Sequence, residues 1–370
     1  MIIRYLTPDD VPQHDKVTSQ AFVYSCGIGD PASVLPCEKV LGAFDDDNKT
    51  LFADLELHEK ACRYDGGLLK CAAVGGVAAK PEHRGKGAVK ALFERLFREA
   101  EYDISILYPF SEPYYRKLGY ERAGYTLSAE IPFSELSEIK RNSDAVLYEG
   151  ENAEALLSIY NRSAGAYNLS FVRDTAEAFS GSPYLSQTYT YVWQDRAIAT
   201  LSVDRDQSTV FVKELWYDSP EAMLGISGFL RNFEANQTKV CFESLPANTP
   251  LLRYVRDLKR CAVALHGVGA VRLMNAANIL RAHRYPAAPG AFTVRIENDV
   301  YRVSYSGREV EVASGGEGDP EVILSLHAAS QILLTGVSDP AFVPGLEIID
   351  PRTAFFEAFP PKTSFFTDPF

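Results

Sequence analysis

A chain of 370 residues is too long for one ordinary hydrophobic core, so two or three domains are expected. With 46% hydrophobic and 23% charged residues it reads as a folded globular protein and not as a disordered one. The 37 Lys and Arg residues against 49 Asp and Glu give a net charge of -12, which disfavours nucleic acid and anionic membrane as partners and is compatible with a cationic substrate such as an amine.

Met1-Ile2-Ile3-Arg4 enters a strand-like segment at once, so no signal peptide is expected. No apolar run is long enough for a membrane-spanning helix. The six cysteines, Cys26, Cys37, Cys62, Cys71, Cys241 and Cys261, form no Cys-x-x-Cys pair, and the six histidines show no ligand spacing. Free thiols, a cytoplasmic location and no metal follow as expectations.

In chain order, Ile2 to Tyr5 reads as a strand and Pro8-Asp9-Asp10 as a helix start with acidic residues in its first turn. Lys39 to Phe44 and Thr50 to Glu59 are the next strands. Asp65-Gly66 signals a hairpin turn, returning through Leu68 to Ala79. A helix is predicted from about Gly87 to Glu101, because Val89, Leu92, Phe93, Leu96 and Phe97 fall on one face. A strand, Ile104 to Tyr108, and a short helix around Pro113 to Leu118 follow, the helix ending at Gly119.

The polar stretch Ser134 to Asp144 suggests a boundary. Beyond it a strand (Ala145 to Tyr148), a helix (Glu151 to Ala164), a strand (Val210 to Tyr217) and a helix capped by Asp218-Ser219-Pro220 are expected. The strand–turn–helix order repeats that of the N-terminal part without its glycine-rich turn, as in a degenerate second copy. A third unit starts near Gly267. Val271 to His283 reads as helical, Thr293 to Asn298, Val300 to Tyr305 and Glu309 to Ala313 as strands, and Pro320 to Thr335 as containing an apolar helix. The boundaries expected are 1–140, 141–267 and 268–370. The last segment, Phe355 to Phe370, is rich in Phe and Pro; such an end frays unless something holds it.

The chemistry-bearing segment is Val74-Gly75-Gly76-Val77-Ala78-Ala79-Lys80-Pro81-Glu82-His83-Arg84-Gly85-Lys86-Gly87-Ala88, a strand, a turn and a helix start. Gly85 and Gly87 leave backbone N–H groups open at the helix N-terminus, and Arg84, Lys86 and Lys90 add positive charge, which together suit a pyrophosphate. Gly75 and Gly76 weaken a strand unless another backbone or a ligand approaches closely. The spacing fits neither Gly-x-x-x-x-Gly-Lys-Ser/Thr nor Gly-x-Gly-x-x-Gly. A glycine-rich turn with solvated basic residues is the alternative.

Arg84-Gly85-Lys86-Gly87-Ala88 resembles the Arg/Gln-x-x-Gly-x-Gly/Ala turn of GNAT acetyltransferases. Pro109-Phe110-Ser111-Glu112-Pro113-Tyr114-Tyr115-Arg116-Lys117-Leu118-Gly119-Tyr120-Glu121 looks like their Phe-Tyr-x-x-x-Gly-Tyr/Phe segment. Over its full length the chain resembles the Eis (enhanced intracellular survival) subfamily, and Val271-Arg272-Leu273-Met274-Asn275 resembles the opening of that subfamily's third domain.

That resemblance implies an α/β (α+β) chain: tandem GNAT folds, each a mixed, mostly antiparallel sheet with flanking helices, then a C-terminal sterol-carrier-protein-like α+β domain. It implies acetyl-CoA as cosubstrate, contacting the backbone of Val77 and Ala79. The pyrophosphate would lie on Arg84, Gly85, Lys86, Gly87, Ala88, Val89 and Lys90, with Ser111 near the pantetheine arm or acyl end. Tyr115 matches the family's general acid, which protonates the departing thiolate. The α-carboxylate of Phe370 matches its general base. A homohexamer and direct acetyl transfer to an amine are implied as well.

Other readings stay open at this point. Tyr115 could be a packing residue and Phe370 a frayed end, and Tyr114 and Tyr120 read as packing residues. Glu56 and His58, on one face of a strand, could supply a base through water. His83 reads as structural and Asp45 to Asp47 as a solvated turn. The aminoglycoside pocket of the family uses acidic residues on the first helix and beside the C-terminus. Here Tyr24 holds the first place, and Pro369 is penultimate with Asp368 before it. The expectation is therefore an amine or lysine-like substrate of unspecified identity, with a non-catalytic CoA-binding, apolar-ligand-binding or assembly protein as the alternative.

Overall fold

The computed structural model describes residues 1–22, 36–99, 101–150, 152–175, 188–307, 309–315, 318–368 and 370. These form two compact units. One comprises Met1–Ala123, Gly269–Pro361 and Phe370; the other comprises Gly124–Val268 and Lys362–Pro369.

The first unit opens with β1 (Ile2–Tyr5), α1 (Val11–Ala21), β2 (Val40–Phe44), β3 (Leu51–Tyr64), β4 (Gly67–Ala79), α2 (Ala88–Leu96), β5 (Ile104–Leu107), α3 (Glu112–Arg116) and β6 (Glu121–Arg122). The second unit contributes β7 (Tyr125–Pro132), β8 (Ala145–Leu147), α4 (Ala153–Ala164), β9 (Tyr189–Trp193), β10 (Ala197–Asp204), β11 (Thr209–Tyr217), α5 (Pro220–Leu230), β12 (Lys239–Pro246) and β13 (Ala262–Gly267). The chain then returns to the first unit with β14 (Ala270–Leu273), α6 (Ala276–Ala282), β15 (Gly290–Ile296), β16 (Asp299–Ser306), β17 (Glu309–Ser314), β18 (Val322–Leu324), α7 (Leu326–Thr335), β19 (Leu346–Ile348) and α8 (Phe355–Ala358).

In the first unit one sheet runs β1-β2-β3-β4-β5-β14-β6. Strands β2 to β4 are antiparallel, while β4 and β5 are parallel, joined by the crossover through α2. The amphipathic face of α2, with Leu92, Phe93 and Leu96, is buried in one core with Leu41, Leu55, Leu57, Ala72 and Val74. The helix stops at Leu96, short of the expected Glu101.

The segment Val271 to His283, expected as one helix, divides. Residues 270–273 form β14, which pairs with β5 on one side and β6 on the other; only Ala276–Ala282 is helical. Asn275 caps that helix by accepting from the Asn278 N–H. A second sheet in this unit runs β17-β16-β15-β18-β19.

The second unit holds a seven-stranded sheet, β13-β7-β12-β11-β10-β9-β8. It repeats the plan of the first: antiparallel strands, a helix crossover through α5, and one parallel pair, β11 and β12. The stretch 134–144 lies inside this unit, because β7 before it pairs with β12 and β13. Phe365 and Phe366 of the tail are buried here, Phe365 against Tyr167 and Trp216, and Phe366 against Phe171. Arg173, buried, bridges Glu214 at 2.6 Å and Asp368 at 2.7 Å, and Tyr160 donates to Asp368 at 2.9 Å.

Candidate active site

Two local irregularities in the first unit's main sheet build the site. Strand β4 pairs with β5 only over Cys71–Val74, so among the described residues Gly75 to Ala79 is paired with a strand on the β3 side alone and leaves an open wedge toward β5. Within the same stretch Glu56 pairs with Gly75 and Asp54 with Ala78, so Gly76 and Val77 together face Leu55. This bulge turns the strand and frees main-chain groups for an extended ligand.

After β4 the turn reaches α2. Gly85 and Gly87 have φ of +74° and +82°, in the left-handed region that side chains resist, and the space where a Cβ would stand is open. Gly87 is the N-cap residue of α2 and supplies no capping side chain. The first helical bond is from Ala91 N–H to the Gly87 carbonyl, leaving the N–H groups of Ala88, Val89 and Lys90 without a helical acceptor. With the helix dipole they make an anion site. Arg84 donates to the Ala79 carbonyl at 3.3 Å. The equivalent turn of the second unit lacks this opening: the Ser219 side chain accepts from Ala222 N–H and fills the cap itself.

A cavity of about 700 Å³ joins wedge and turn, lined by Val77, Ala78, Ala79, His83, Arg84, Gly85, Gly87, Ala88, Val89 and Lys90, and further by Ala21, Phe22, Phe110 and Tyr114. Of the residues expected at the coenzyme, Lys86 and Ser111 are not among its lining. Ser111 is instead the residue before α3, and its carbonyl accepts from Tyr114 N–H.

Tyr115 is buried behind the lining, edge-on to Phe110 and Tyr114 with ring centroids 5.4 Å and 5.2 Å away. Burial, reinforced by the neighbouring Tyr114, pushes its phenol well up, so it holds its proton at neutral pH. Phe370 stacks on Tyr108, the residue after β5, with ring centroids 5.0 Å apart. Its main-chain end lies against Gly75, close to His58, which approaches Glu56 at 3.3 Å.

Beneath the bulge, His14 of α1 meets Asp54 of β3 at 2.8 Å, both buried. Burial pushes the Asp54 carboxyl up to about 6, against the pull of His14. Burial is the largest single influence on His14 and opposes its charge, but the Asp54 hydrogen bond together with the negative charges of Asp54, Glu56 and Asp15 outweighs it and the net shift is upward. Tyr24 falls among residues outside those described. Among the described residues no group of His, Cys, Asp or Glu is placed to hold a metal, and no helix is long and apolar enough to cross a membrane.

The end of β4 from Val77 to Ala79 and the open glycine turn before α2 thus line one cavity. Residues 2–123 match the acetyltransferase (GNAT) domain. Over the whole chain the fold is similar to three solved structures. A GCN5-related N-acetyltransferase from Anabaena variabilis has TM-score 0.86 at 20% identity, with 100% of both chains covered. A conserved protein of unknown function from Enterococcus faecalis, described as a probable N-acyltransferase, has TM-score 0.86 at 15% identity, covering 100% of this chain and 99% of that one. Eis1 from Mycobacterium abscessus has TM-score 0.82 at 19% identity, with 100% of both chains covered. No curated protein matches the sequence. At these identities the likeness is one of fold: mixed α/β, GNAT-like sheets with flanking helices, and a further five-stranded sheet.

Sequence reasoning missed Phe22 and Phe110 and assigned Tyr114 to packing, yet all three line the cavity. Phe110 and Tyr114 lay within the motif that drew attention to Tyr115. His83, read as structural, lines the cavity and stacks on Phe52 at 3.9 Å.

Proposed function

We propose that the chain is an acetyl-CoA-dependent N-acetyltransferase that acts on an amine by direct transfer. The observation carrying this reading is the cleft itself, where the unpaired edge of β4 leads into the helix N-terminus of α2. An extended pantetheine arm would add to that edge at Val77 and Ala79. The pyrophosphate would sit on the N–H groups from Gly85 to Lys90, with Arg84 and Lys86 as counter-charges. Ser111 would stand near the acyl end.

At the reacting end the amine nitrogen attacks the thioester carbonyl, and the C–S bond breaks as the C–N bond forms. Tyr115, kept protonated by burial, would give its proton to the leaving thiolate. The Phe370 carboxylate, set against Gly75, would take a proton from the incoming ammonium. What supports these roles is the burial of Tyr115 beside Phe110 and Tyr114 of the cavity lining and the position of the Phe370 main-chain end against Gly75.

The test is Tyr115→Phe assayed beside wild type with acetyl-CoA and a panel of primary amines. Turnover is expected to fall about a hundredfold while acetyl-CoA affinity holds; unchanged turnover would remove Tyr115 as the acid. Under the same proposal the chain is organised as a catalytic domain, a degenerate second copy and a sterol-carrier-like third domain, and it assembles as a hexamer. Light scattering checks the assembly.

A further inference from the structure

Acetylating an ammonium leaves one proton over. Of the three N–H hydrogens the amide keeps one, and one replaces the proton that the acid gave to the thiolate. The third must leave the site on every turnover. A carboxylate that has taken it is neutral and idle until it passes the proton on, so an exit beside that carboxylate is a chemical requirement.

The floor of the wedge supplies one. A Cβ on Gly75 would stand 2.6 Å from the Phe370 carbonyl carbon, 2.8 Å from its oxygen and 3.3 Å from His58 Nε2. A Cβ on Gly76, where φ is +53°, would stand 2.5 Å from the Glu56 carboxyl carbon. The two glycines therefore make room for three groups at one place: the main-chain end of Phe370, the imidazole of His58 and the carboxylate of Glu56. His58 Nε2 lies 3.3 Å from Glu56 Oε2. The His58 and Glu56 side chains are 18% and 24% exposed, so the pair reaches from the buried floor to water. The register of the β3–β4 hairpin sets this up: it runs unshifted from the Tyr64–Gly67 pair to the Glu56–Gly75 pair, so the side chains of Glu56 and His58 share the face of Gly75 on which Phe370 lies.

We propose that His58, beside Glu56, is a further catalytic residue that accepts the substrate-derived proton from the Phe370 carboxyl and delivers it to solvent. With the neutral ring protonated on Nδ1, Nε2 carries a lone pair; the O–H bond on Phe370 breaks as an N–H bond forms there, and that new N–H donates to Glu56 Oε2. The imidazolium is stabilised by the Glu56 carboxylate, and its loss of a proton to water restores both groups. This rests on the reading of Phe370 as base.

The experiment compares wild type, His58→Ala, His58→Gln, a chain lacking Phe370, and the His58→Ala chain lacking Phe370. Each is assayed by thiol release from acetyl-CoA, using whichever of n-butylamine, spermidine, kanamycin or a blocked lysine the wild type acetylates fastest. Both His58 variants are expected to lose turnover about tenfold or more with KM for acetyl-CoA unchanged. Added imidazole should restore most of the loss in His58→Ala and none in the chain lacking Phe370. The double change should cost no more than the worse single one. Wild-type turnover in both His58 variants, or a loss that imidazole does not restore and that adds fully to the deletion, overturns the proposal for His58. Full turnover on deleting Phe370 removes the Phe370 base, and with it the relay, whatever His58 shows.

Discussion

The carbonyl carbon of Phe370 lies 2.6 Å from the point where a side chain on Gly75 would begin. No side chain fits there while Phe370 keeps its place. Gly75→Ala is therefore expected to displace Phe370 and lower kcat about a hundredfold, the scale on which small misplacements of reacting groups act. The Kd for acetyl-CoA, measured by calorimetry, should change little. Wild-type kcat would separate Phe370 from the chemistry.

Gly87 tests the other end of the cleft. Its φ of +82° is strained for any side chain, while the space around it is open. Gly87→Val should cost about 1–2 kcal/mol in backbone conformation and block the N–H groups at the start of α2. Acetyl-CoA binding should weaken tenfold or more while S-acetylpantetheine, which lacks the pyrophosphate, loses nothing. Equal losses for both would place the pyrophosphate elsewhere.

How far this site could be seen from residues alone follows from what makes each part. The turn at His83 to Ala88 was legible because left-handed backbone needs glycine, and glycine is visible in a sequence. The strand–helix alternation of the N-terminal part was legible from its periodicities. The division of 271–283 was not. A short apolar run such as Val271-Arg272-Leu273 carries no period that separates strand from helix, and what makes it a strand is pairing with β5, some 165 residues earlier in the chain. The convergence of Glu56, His58 and Phe370 was hidden for the same reason. Glu56 and His58 share a strand face that periodicity shows, but only the β3–β4 register and the path of the tail bring Phe370 to the same point. Phe22 and Phe110 carry no local sign that they line a cavity.

The His14–Asp54 pair gives a pH dependence with a definite sign. Both groups bind protons more tightly in the folded chain than in the unfolded one, Asp54 at about 6 against an ordinary 3.8 and His14 above 6.5. Their contribution to stability is full below the unfolded values and is lost as pH rises through the folded ones. Wild type should therefore lose more stability than Asp54→Asn between about pH 4 and about pH 7. Melting temperatures of the two proteins across that range check it, and parallel curves would contradict it. Since α1 ends at Ala21 and Phe22 in the cavity wall, acetyl-CoA affinity should follow the same trend.

Buried Arg173, with Glu214 and Asp368, predicts a stability effect in the second unit. Arg173→Met strands two carboxylates and should cost about 3–5 kcal/mol, read from chemical denaturation. The double change Glu214→Gln with Asp368→Asn in that background should recover part of the loss. No recovery would show that packing, not charge, holds the tail there.

The central claim is that the cleft along β4 and α2 transfers an acetyl group to an amine. Mass spectrometry of the amine panel after incubation with acetyl-CoA tests it most directly, with a second sample of the protein extended by a few residues beyond Phe370. The expected result is a singly acetylated amine and free CoA with the unextended chain, and loss of both products with the extended one. Acetyl-CoA bound by the protein but left intact, with every amine unmodified, would contradict the claim and leave a coenzyme-binding protein in its place.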